Sequence, residues 1–576
     1  MNSLLAGMAS GMEDLMVVAA ATVVTMAAAG WISSKKAPKE DDGSSSKKRR
    51  RWSLMSESMA HGTFPPTAKF DEAIINVVMV FDDHDKPTRE EIVEKCVKTI
   101  LQYERFSSVF DRKTSEAKIL ENLDPNDLVR VVPLSPYSCK SVDNLLKTNG
   151  YQACVPLAKA PRGNVLPWWE FVLLDNQEGY GKSAVVWRIH HSLGTELFRC
   201  IVFVLLLLPK NLTQESLTNT LSFFNFFSRF GIAGDGISLV QVVQDLFFNA
   251  STGKPLSSAN NPNLSKKFKV KRSPWQWISQ TLSALVAVVP LPIGKFDDLT
   301  TFRPQRSSST ATKIDPNTLV FPDQQTILPF SPVPLEFVKR VKVAASSTDN
   351  TNISVNDLMF TVVSQAIHDY LLEEKDPLLE AKQRALNCRT LLPLALPRPQ
   401  TQDKSKAMRN FWCFVSCDLS VGVSDILDRL QTIHRNLQIL KTGLVPLVSS
   451  LLSNMVMKLP RMISRDQTLN LFARHSMVLS NVPGPSEAVS IANHEITAVH
   501  MIHMNLIPQL SFLSYRGIVF GNAILGKLDE EDKALAKRRN ERFPLHVSNA
   551  WVELASKLEV KAPKSLIEHA SKLHEC

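Results

Sequence analysis

The sequence predicts a mixed α/β fold, of the α/β or α+β class, arranged as two comparable halves. At 576 residues the chain is too long for one ordinary compact core. Apolar runs of strand length are mixed with helical patterns on both sides of a polar stretch. Hydrophobic residues make up 44% of the chain and charged residues 21%, which is ordinary for a globular protein and excludes wholesale disorder.

Individual elements follow from local patterns. In the first half we expect buried strands at Ile74–Phe81, Trp169–Leu174 and Ala184–Ile189, while Thr88-Arg-Glu-Glu91 forms a capping box that opens a helix. In the second half we expect helices around 335–343, 354–372, 424–440, 445–464 and 547–558, and strands near 386–396, 411–420, 476–480, 496–505, 508–515 and 517–524.

These patterns divide the chain into segments. We expect an N-terminal membrane anchor (1–34), a disordered basic linker (35–67), a first folded half (68–296), a second linker (297–317), a second folded half (318–560) and a tail (561–576). The anchor rests on the 18 uncharged residues from Leu15 to Ile32, just enough to span a bilayer. Because a basic run follows them, the folded part is expected in the cytoplasm. A cleaved signal peptide is the alternative, although the preceding residues are acidic.

The positive charge is concentrated in runs. The chain has 66 basic and 56 acidic residues, a formal net charge of +10, with clusters at Lys47–Arg51 and Lys266–Arg272. Basic runs favour nucleic acid or an anionic membrane, and the neighbouring anchor favours the membrane, so we expect no nucleic acid partner. The uncharged segment Ser273–Gly294 follows the second run. It indicates either a surface that dips into the membrane interface or a buried interdomain helix.

The cysteines do not form a framework. Eight are scattered without a CxxC pair, which favours a reducing compartment. The spacing of Cys413 and Cys417 is more typical of core packing than of metal binding, and no metal is expected. His500 and His503 lie three residues apart in an apolar strand, so they face opposite sides and line the core or a channel.

The strongest chemical signal is the run Arg188-Ile-His190-His191-Ser-Leu-Gly194, which closes a predicted strand. A histidine at a strand end can be held rigidly yet reach into a cleft, and neutral imidazole is the usual base at physiological pH. Taken alone, however, a histidine pair is more often structural.

Four sequence blocks occur in a fixed order. They resemble the PLWE, HHxxxDG, ND and NVPGP blocks of the wax ester synthase/diacylglycerol acyltransferase family, and the resemblance extends from about residue 70 to 555. It implies two chloramphenicol-acetyltransferase-like halves with a tunnel between them, and direct acyl transfer from acyl-CoA. The blocks are Pro167-Trp168-Trp169-Glu170, His190-His191, Asn356-Asp357, and Asn481-Val-Pro483-Gly484-Pro485.

The resemblance also implies roles for these residues. His191 would be the general base, and His190 would pack or hydrogen-bond structurally. Asn356 and Asp357 would face the channel from the second half, although an apolar helix follows them and a helix-capping role is the alternative. By resemblance the substrate channel includes Pro167, Trp168, Trp169, Glu170, Asn481, Pro483 and Gly484. No GxSxG elbow supports a covalent acyl-enzyme.

The histidine motif departs from the family pattern. Thr195 and Glu196 stand where Asp and Gly are expected, whereas Asp235 and Gly236 supply that pair 40 residues later. Removing residues 195–234 would restore the motif and preserve the reading frame. A retained intron explains this insertion, and a genuine loop that carries an apolar helix is the alternative.

The expected reaction transfers a long-chain acyl group to a fatty alcohol or to diacylglycerol, with acyl-CoA as a substrate and no bound cofactor. Membrane lipid is the expected environment. The endoplasmic reticulum is favoured, and a lipid droplet or the plasma membrane is the alternative. Two other functions remain open: a catalytically impaired lipid-binding protein, because the motif is split, and a peptide-forming condensation-type domain, against which the anchor and the NVPGP block count.

Overall fold

The computed structural model describes most of the second folded half and less than half of the first. The predicted anchor (1–34), the beginning of the basic linker and the insertion 195–234 lie outside the described residues. The described residues are 54–61, 74–102, 105–135, 137, 140–149, 166–176, 181–193, 283–288, 291, 296–298, 325–348, 351–395, 412–485, 487–503, 506–526 and 533–574.

Strands run through both halves of the described chain. They are β1 Ile74–Asp82, β2 Ser108–Asp111, β3 Glu116–Ile119, β4 Val129–Pro133, β5 Trp169–Asp175, β6 Lys182–His190, β7 Gln325–Pro329, β8 Val333–Pro334, β9 Arg389–Ala395, β10 Trp412–Asp418, β11 Met477–Val482, β12 Ser490–Ile491, β13 His494–Glu495, β14 Ala498–His503, β15 Gln509–Tyr515 and β16 Ile518–Gly526.

Among the described residues, helices are longer and more numerous in the second half. The α-helices are Leu54–His61, Arg89–Glu91, Lys98–Leu101, Val142–Asn149, Leu335–Thr348, Val355–Glu373, Pro377–Lys382, Ile426–Thr442, Val445–Val456, Arg461–Ala473, Lys533–Lys557 and Lys564–Ser571. A π-helical stretch, Ile92–Val97, joins the second and third of these, and 3-10 turns are present at Pro125–Leu128, His191–Leu193, Gln383–Ala385 and Lys572–His574.

The first sheet contains five strands in the order β14-β1-β6-β5-β4. β1 lies antiparallel to β6, with Ile74 opposite His190, and antiparallel to β14 on its other side. β1 and β6 are apolar and buried almost throughout, as expected for central strands covered on both faces. β14, Ala498–His503, belongs to the predicted second half. That half therefore supplies an edge strand to the sheet whose strand β6 ends at the histidine pair.

The second sheet contains seven strands, with the path β10-β9-β11-β15-β16-β7 and β8 paired to β16. The helix Val355–Glu373 packs against the helix Lys533–Lys557. Both contribute buried side chains to one hydrophobic cluster with the strands of this sheet, which we call the second core. The side chains of Phe337 and Trp551 are fully buried and meet edge to face, with ring centroids 5.9 Å apart. This core positions β10 and β11, which approach the candidate site.

The two sheets and their helices confirm the mixed α/β class. The predicted capping box is confirmed, because the Glu91 N–H donates to Thr88 Oγ1 and the Thr88 N–H donates to the Glu91 carboxylate. Cys413 and Cys417 are buried in the second core, as core packing requires.

Several elements differ from their predicted bounds. The predicted helix 445–464 is two helices that end and restart around Pro460, because proline lacks the N–H that a helix interior needs. The predicted C-terminal helix begins at Lys533, well before residue 547. Within the predicted tail, the helix Lys564–Ser571 buries Leu566 in the second core, and Ala570 of the same helix is also buried.

Of the two predicted membrane segments, the anchor lies outside the described residues, and Ser273–Gly294 is described only in part. Residues 283–288 of the apolar segment are helical, and Ala284, Leu285 and Val288 pack in the second core, as the buried-helix alternative expects. In the described part of the chain, no helix alone is long and apolar enough to cross a bilayer. One pair of consecutive helices in that part, Ile426–Lys441 and Val445–Val456, is bent by 60° and is together long and apolar enough, by length and composition only.

Candidate active site

The histidine turn is held in place by an arginine from the same half. β6 ends at His190, and the 3-10 turn His191–Leu193 follows it directly. Arg105 donates from Nε to the Leu193 carbonyl and from Nη2 to the Ser192 carbonyl, each at 2.7 Å. Such charge-assisted bonds are stronger than neutral ones, so the turn has a fixed backbone at its start.

His190 is bound within the first half. Its Nδ1 accepts the backbone N–H of Ser192 at 3.2 Å and lies 2.7 Å from the hydroxyl of the same residue. Its ring packs on Trp168, with centroids 4.7 Å apart. Burial, with a smaller contribution from Arg112, lowers the pKa of His190 to about 3. His190 is therefore a neutral, structurally engaged side chain at neutral pH.

His191 faces the second half. Its ring lies 4.8 Å from that of His503 at the end of β14 and 5.6 Å from that of Trp412 at the start of β10. Burial first, and His503 next, hold the pKa of His191 well below its usual value. The imidazole consequently stays neutral at physiological pH, the form that can accept a proton.

His503 has a defined tautomer. Its Nδ1 donates to Oε1 of Gln509 at 3.0 Å, because an amide oxygen can only accept. In neutral His503 the lone pair is therefore on Nε2. Burial lowers the pKa of His503 to about 4. His191 and His503 thus form a pair of neutral imidazoles contributed by different halves of the chain.

The block around Trp169 is built into the first core. Trp169 is buried and its indole N–H donates to the Phe106 carbonyl at 2.8 Å. Glu170 is buried between Arg188, which donates to its carboxylate, and Arg130, whose Nη2 lies 3.0 Å from it. Pro167 and Trp168 continue this strand towards His190, whose N–H donates to the Trp168 carbonyl at 2.8 Å. Of the four predicted channel residues here, Trp168 is the one that touches the histidine pair.

The Asn-Asp block opens a helix. Ser354 is the N-cap of Val355–Glu373, and Asp357 completes its capping box by accepting the Ser354 N–H at 2.8 Å. The Asp357 carboxylate also contacts His434 at 2.8 Å and Lys441 at 3.2 Å. The capping alternative is therefore confirmed for Asp357, whose carboxylate forms an ion pair with Lys441.

Asn356 links this block to the NVPGP turn. Its Oδ1 accepts Nδ2–H of Asn481 at 2.6 Å, so the structure brings together two predicted residues that are 125 positions apart. Gly484 donates its N–H to Ser514 Oγ at 3.0 Å. A Cβ at Gly484 would lie 2.0 Å from the Ser514 carbonyl oxygen, so only glycine fits. Pro483 lies between Asn481 and Gly484 in the same turn.

The predicted site residues thus form two clusters, one around His190 and His191 and the other around Asn356 and Asn481. Asp235 and Gly236 lie outside the described residues. Sequence reasoning missed Arg105 and Trp412 as neighbours of the histidine turn. It predicted that His500 and His503 line the core or a channel from opposite faces of one strand, and it did not choose between them.

Trp412 and His503, which contact His191, lie within one recognisable domain. Asn481 of the second cluster lies within it too. Residues 409–521 match the family model described as the WS/DGAT C-terminal domain. This match confirms the resemblance to the wax ester synthase/diacylglycerol acyltransferase family that the four sequence blocks carry, and that family is one of acyltransferases.

Other comparisons add distant likenesses. No curated protein sequence matches the chain. Among solved structures, the wax ester synthase/diacylglycerol acyltransferase from Marinobacter aquaeolei VT8 is 13% identical, covers 85% of this chain and 96% of its own, and has a TM-score of 0.46. TRI3 trichothecene 15-O-acetyltransferase from Fusarium sporotrichioides is 10% identical, with coverages of 88% and 97% and a TM-score of 0.47. The first condensation domain of the calcium-dependent antibiotic synthetase is also 10% identical, with coverages of 90% and 100% and a TM-score of 0.45.

Proposed function

We propose that this protein transfers a long-chain acyl group from acyl-CoA to a fatty alcohol, to diacylglycerol or to both, with His191 as general base. The observation that carries the proposal is the position of His191. Its turn is fixed by Arg105, and its ring meets Trp412 and His503, which both belong to the WS/DGAT C-terminal domain.

The chemistry needs one proton acceptor. His191 takes the proton of the acceptor hydroxyl as that oxygen attacks the thioester carbonyl carbon. A C–O bond forms, the C–S bond breaks, and the CoA thiolate leaves and receives the proton from His191. A positioned base of this kind typically contributes roughly 10²- to 10⁴-fold in rate. No covalent acyl-enzyme is required.

The other predicted residues support this arrangement in different ways. His190 and Trp168 fix the end of β6, and Asp357 fixes the start of its helix. The hydrogen bond between Asn356 and Asn481 joins the start of that helix to the NVPGP turn beside the proposed channel. Asp235 and Gly236 complete the motif in a chain from which residues 195–234 are absent or in which they bulge outward.

We further propose that the protein works at a membrane, with the endoplasmic reticulum favoured and its catalytic part in the cytoplasm. The uncharged stretch 15–32 and the basic run that follows it support this location. The lipid nature of both proposed substrates agrees with it.

The test compares four proteins: the chain with and without residues 195–234, each with His191 and with His191→Ala. Labelled acyl-CoA is supplied with fatty alcohol and diacylglycerol in competition. We expect acyl transfer at least by the shortened chain, and a loss of roughly 10²-fold or more with His191→Ala. Transfer that survives His191→Ala contradicts the assigned base. Absence of transfer by both His191 proteins favours a non-catalytic lipid-binding protein instead.

A further inference from the structure

Two consecutive helices expose large apolar side chains. In the helix Val445–Val456 the buried residues are Val445, Val448 and Ser449. Leu447 and Leu451 are 46% and 55% exposed, and their spacing of four residues places them on one helix face. The helix is therefore only partly covered by the core on which it packs.

Further large apolar side chains are exposed in the turn that follows and in the next helix, which contacts the first. Leu459 is 45% exposed, Met462 71% and Ile463 46%. Single exposed apolar residues are normal on a protein surface, whereas several together mark a surface that binds something. We call residues 445–465, with the turn that joins the two helices, the apolar hairpin.

Its charge is of one sign. Residues 445–465 include Lys458, Arg461 and Arg465 and contain no aspartate or glutamate. Arg465 lies 3.6 Å from Asp466, the next residue, and Arg461 donates to the His61 carbonyl, so Lys458 is the basic side chain of this segment for which the described residues show no such contact. Large apolar side chains next to basic ones match a bilayer that carries anionic lipid, because the first enter the acyl boundary and the second meet the head groups. A second copy of the chain fits less well, because it would bring like charges together.

The apolar hairpin lies beside the candidate active site. Ser449 Oγ donates to the Phe414 carbonyl at 2.5 Å, and the Cys413 thiol lies 3.3 Å from the Pro446 carbonyl. Both contacts are to β10, whose first residue, Trp412, meets the His191 ring. The helix Val445–Val456 and β10 therefore lie between a bilayer on this surface and the proposed base.

We propose that the apolar hairpin is a membrane-docking surface for an anionic phospholipid bilayer, with Leu447, Leu451, Leu459, Met462 and Ile463 entering its acyl boundary. Docking is independent of catalysis. Its purpose, access of a lipid acceptor to His191, rests on the proposed acyl transfer.

The first experiment reads insertion at the surface itself, so that an N-terminal anchor does not obscure it. Leu451→Trp and a control, Val343→Trp, are prepared in the full chain; Val343 is 64% exposed in another helix. Each protein is mixed with phosphatidylcholine vesicles with and without phosphatidylserine, whose acyl chains carry bromine. We expect extra fluorescence quenching for Leu451→Trp, greater with phosphatidylserine, and none for Val343→Trp. Equal quenching of both proteins, or none at Leu451→Trp, overturns the proposal.

A second experiment separates docking from catalysis. The pair Leu451→Ser and Met462→Ser alters exposed residues, so the fold is retained. We expect acyl transfer to an acceptor in vesicles to fall about 100-fold, since each of the two buried large apolar side chains contributes about 10-fold. Transfer to the same acceptor in detergent micelles stays unchanged. An equal fall in both media overturns the docking role, and so does a wild-type dimer that the pair dissociates. Bromine quenching stands as a docking result even in a protein that transfers nothing.

A separate observation concerns Trp412. Its side chain is 7% exposed, and its indole N–H has no hydrogen-bond partner among the described residues. A buried donor without a partner is unfavourable, so a ligand oxygen that reaches this N–H would be bound favourably. The ring of Trp412 lies against His191. We infer that the Trp412 N–H donates to the thioester carbonyl oxygen of bound acyl-CoA, where negative charge develops during attack.

This inference rests on the proposed acyl transfer, and the chain offers a matched control. Trp187 is also buried with an indole N–H that has no partner in the described part, but it stacks on Phe171 inside the first core. Trp412→Phe should lower kcat about 10²-fold, as loss of one such donor does, with KM changed little. Trp187→Phe should leave kcat unchanged. If Trp412→Phe keeps its kcat while His191→Ala is inactive, the donor role is wrong and the proposed function stands.

Discussion

His190 and His191 are neighbours in the chain, yet they belong to different parts of the molecule. The ring of His190 is engaged by Ser192 and Trp168, both within the first half. The ring of His191 meets Trp412 and His503 from the second half. The difference arises because β6 ends between them: one residue completes the sheet, and the next begins a turn that leaves it.

This comparison separates a structural role from a chemical one. A side chain whose partners all lie in its own sheet contributes to that sheet, whereas one that bridges two halves lies where substrates from either side can meet. The motif alone does not distinguish the two histidines. Their neighbours do.

The largest expected effect comes from loosening the turn His191–Leu193, which contains His191 and binds the ring of His190 through Ser192. Arg105→Ala removes charge-assisted bonds to two carbonyls, and we expect the free energy of unfolding to fall by about 3 kcal/mol. Urea denaturation measures it. Arg89→Ala, which loses exposed bonds to Asn126, is the control and should cost under about 1 kcal/mol. Equal losses would mean that the turn is held by other contacts.

The next effect concerns the pH dependence of stability. The folded-state pKa of His190 is lowered to about 3, while the unfolded chain takes up this proton near 6.5. The unfolded state thus binds more protons below pH 6.5, so stability is lost as the pH falls from there. At pH 5 the contribution of His190 amounts to about 2 kcal/mol. His190→Gln should lessen the fall in unfolding free energy between pH 7 and pH 5, and an unchanged fall would contradict a buried neutral His190.

A smaller effect distinguishes the two histidines of β14. His503→Leu removes the ring that meets His191, and we expect kcat to fall about 10-fold, or about 1.4 kcal/mol, at similar KM. His500→Leu is the control, because its ring packs on Phe520 and neither nitrogen has a partner in the described residues. It should keep its activity and gain about 1 kcal/mol of stability. Similar kcat values for both variants would remove His503 from the site.

Much of the local structure could be predicted from the sequence. The buried strands Ile74–Phe81 and Ala184–Ile189 and the capping box at Thr88 follow from apolar runs and cap chemistry, which act over a few residues. Strand parity also placed His500 and His503 on opposite faces, and the structure confirms it.

Long-range contacts could not be predicted in this way. Periodicity shows which face of a strand is buried but does not identify the strand beside it, so the pairing of β14 with β1 was not anticipated. Arg105 binds a turn 88 residues away, and no local pattern marks it. The family resemblance placed Asn356 and Asn481 at one channel but did not predict their hydrogen bond. The role of Asp235 and Gly236 remains a prediction from the motif.

Chemical rescue tests the central claim most directly, namely that His191 and not His190 is the base. Acyl transfer is measured for His191→Ala and His190→Ala, with and without added imidazole, in the chain with and without residues 195–234. We expect imidazole to restore part of the activity of His191→Ala, because it can occupy the vacated space and accept the proton, and not to restore that of His190→Ala. Rescue confined to His190→Ala, or full activity of His191→Ala without imidazole, would contradict the account.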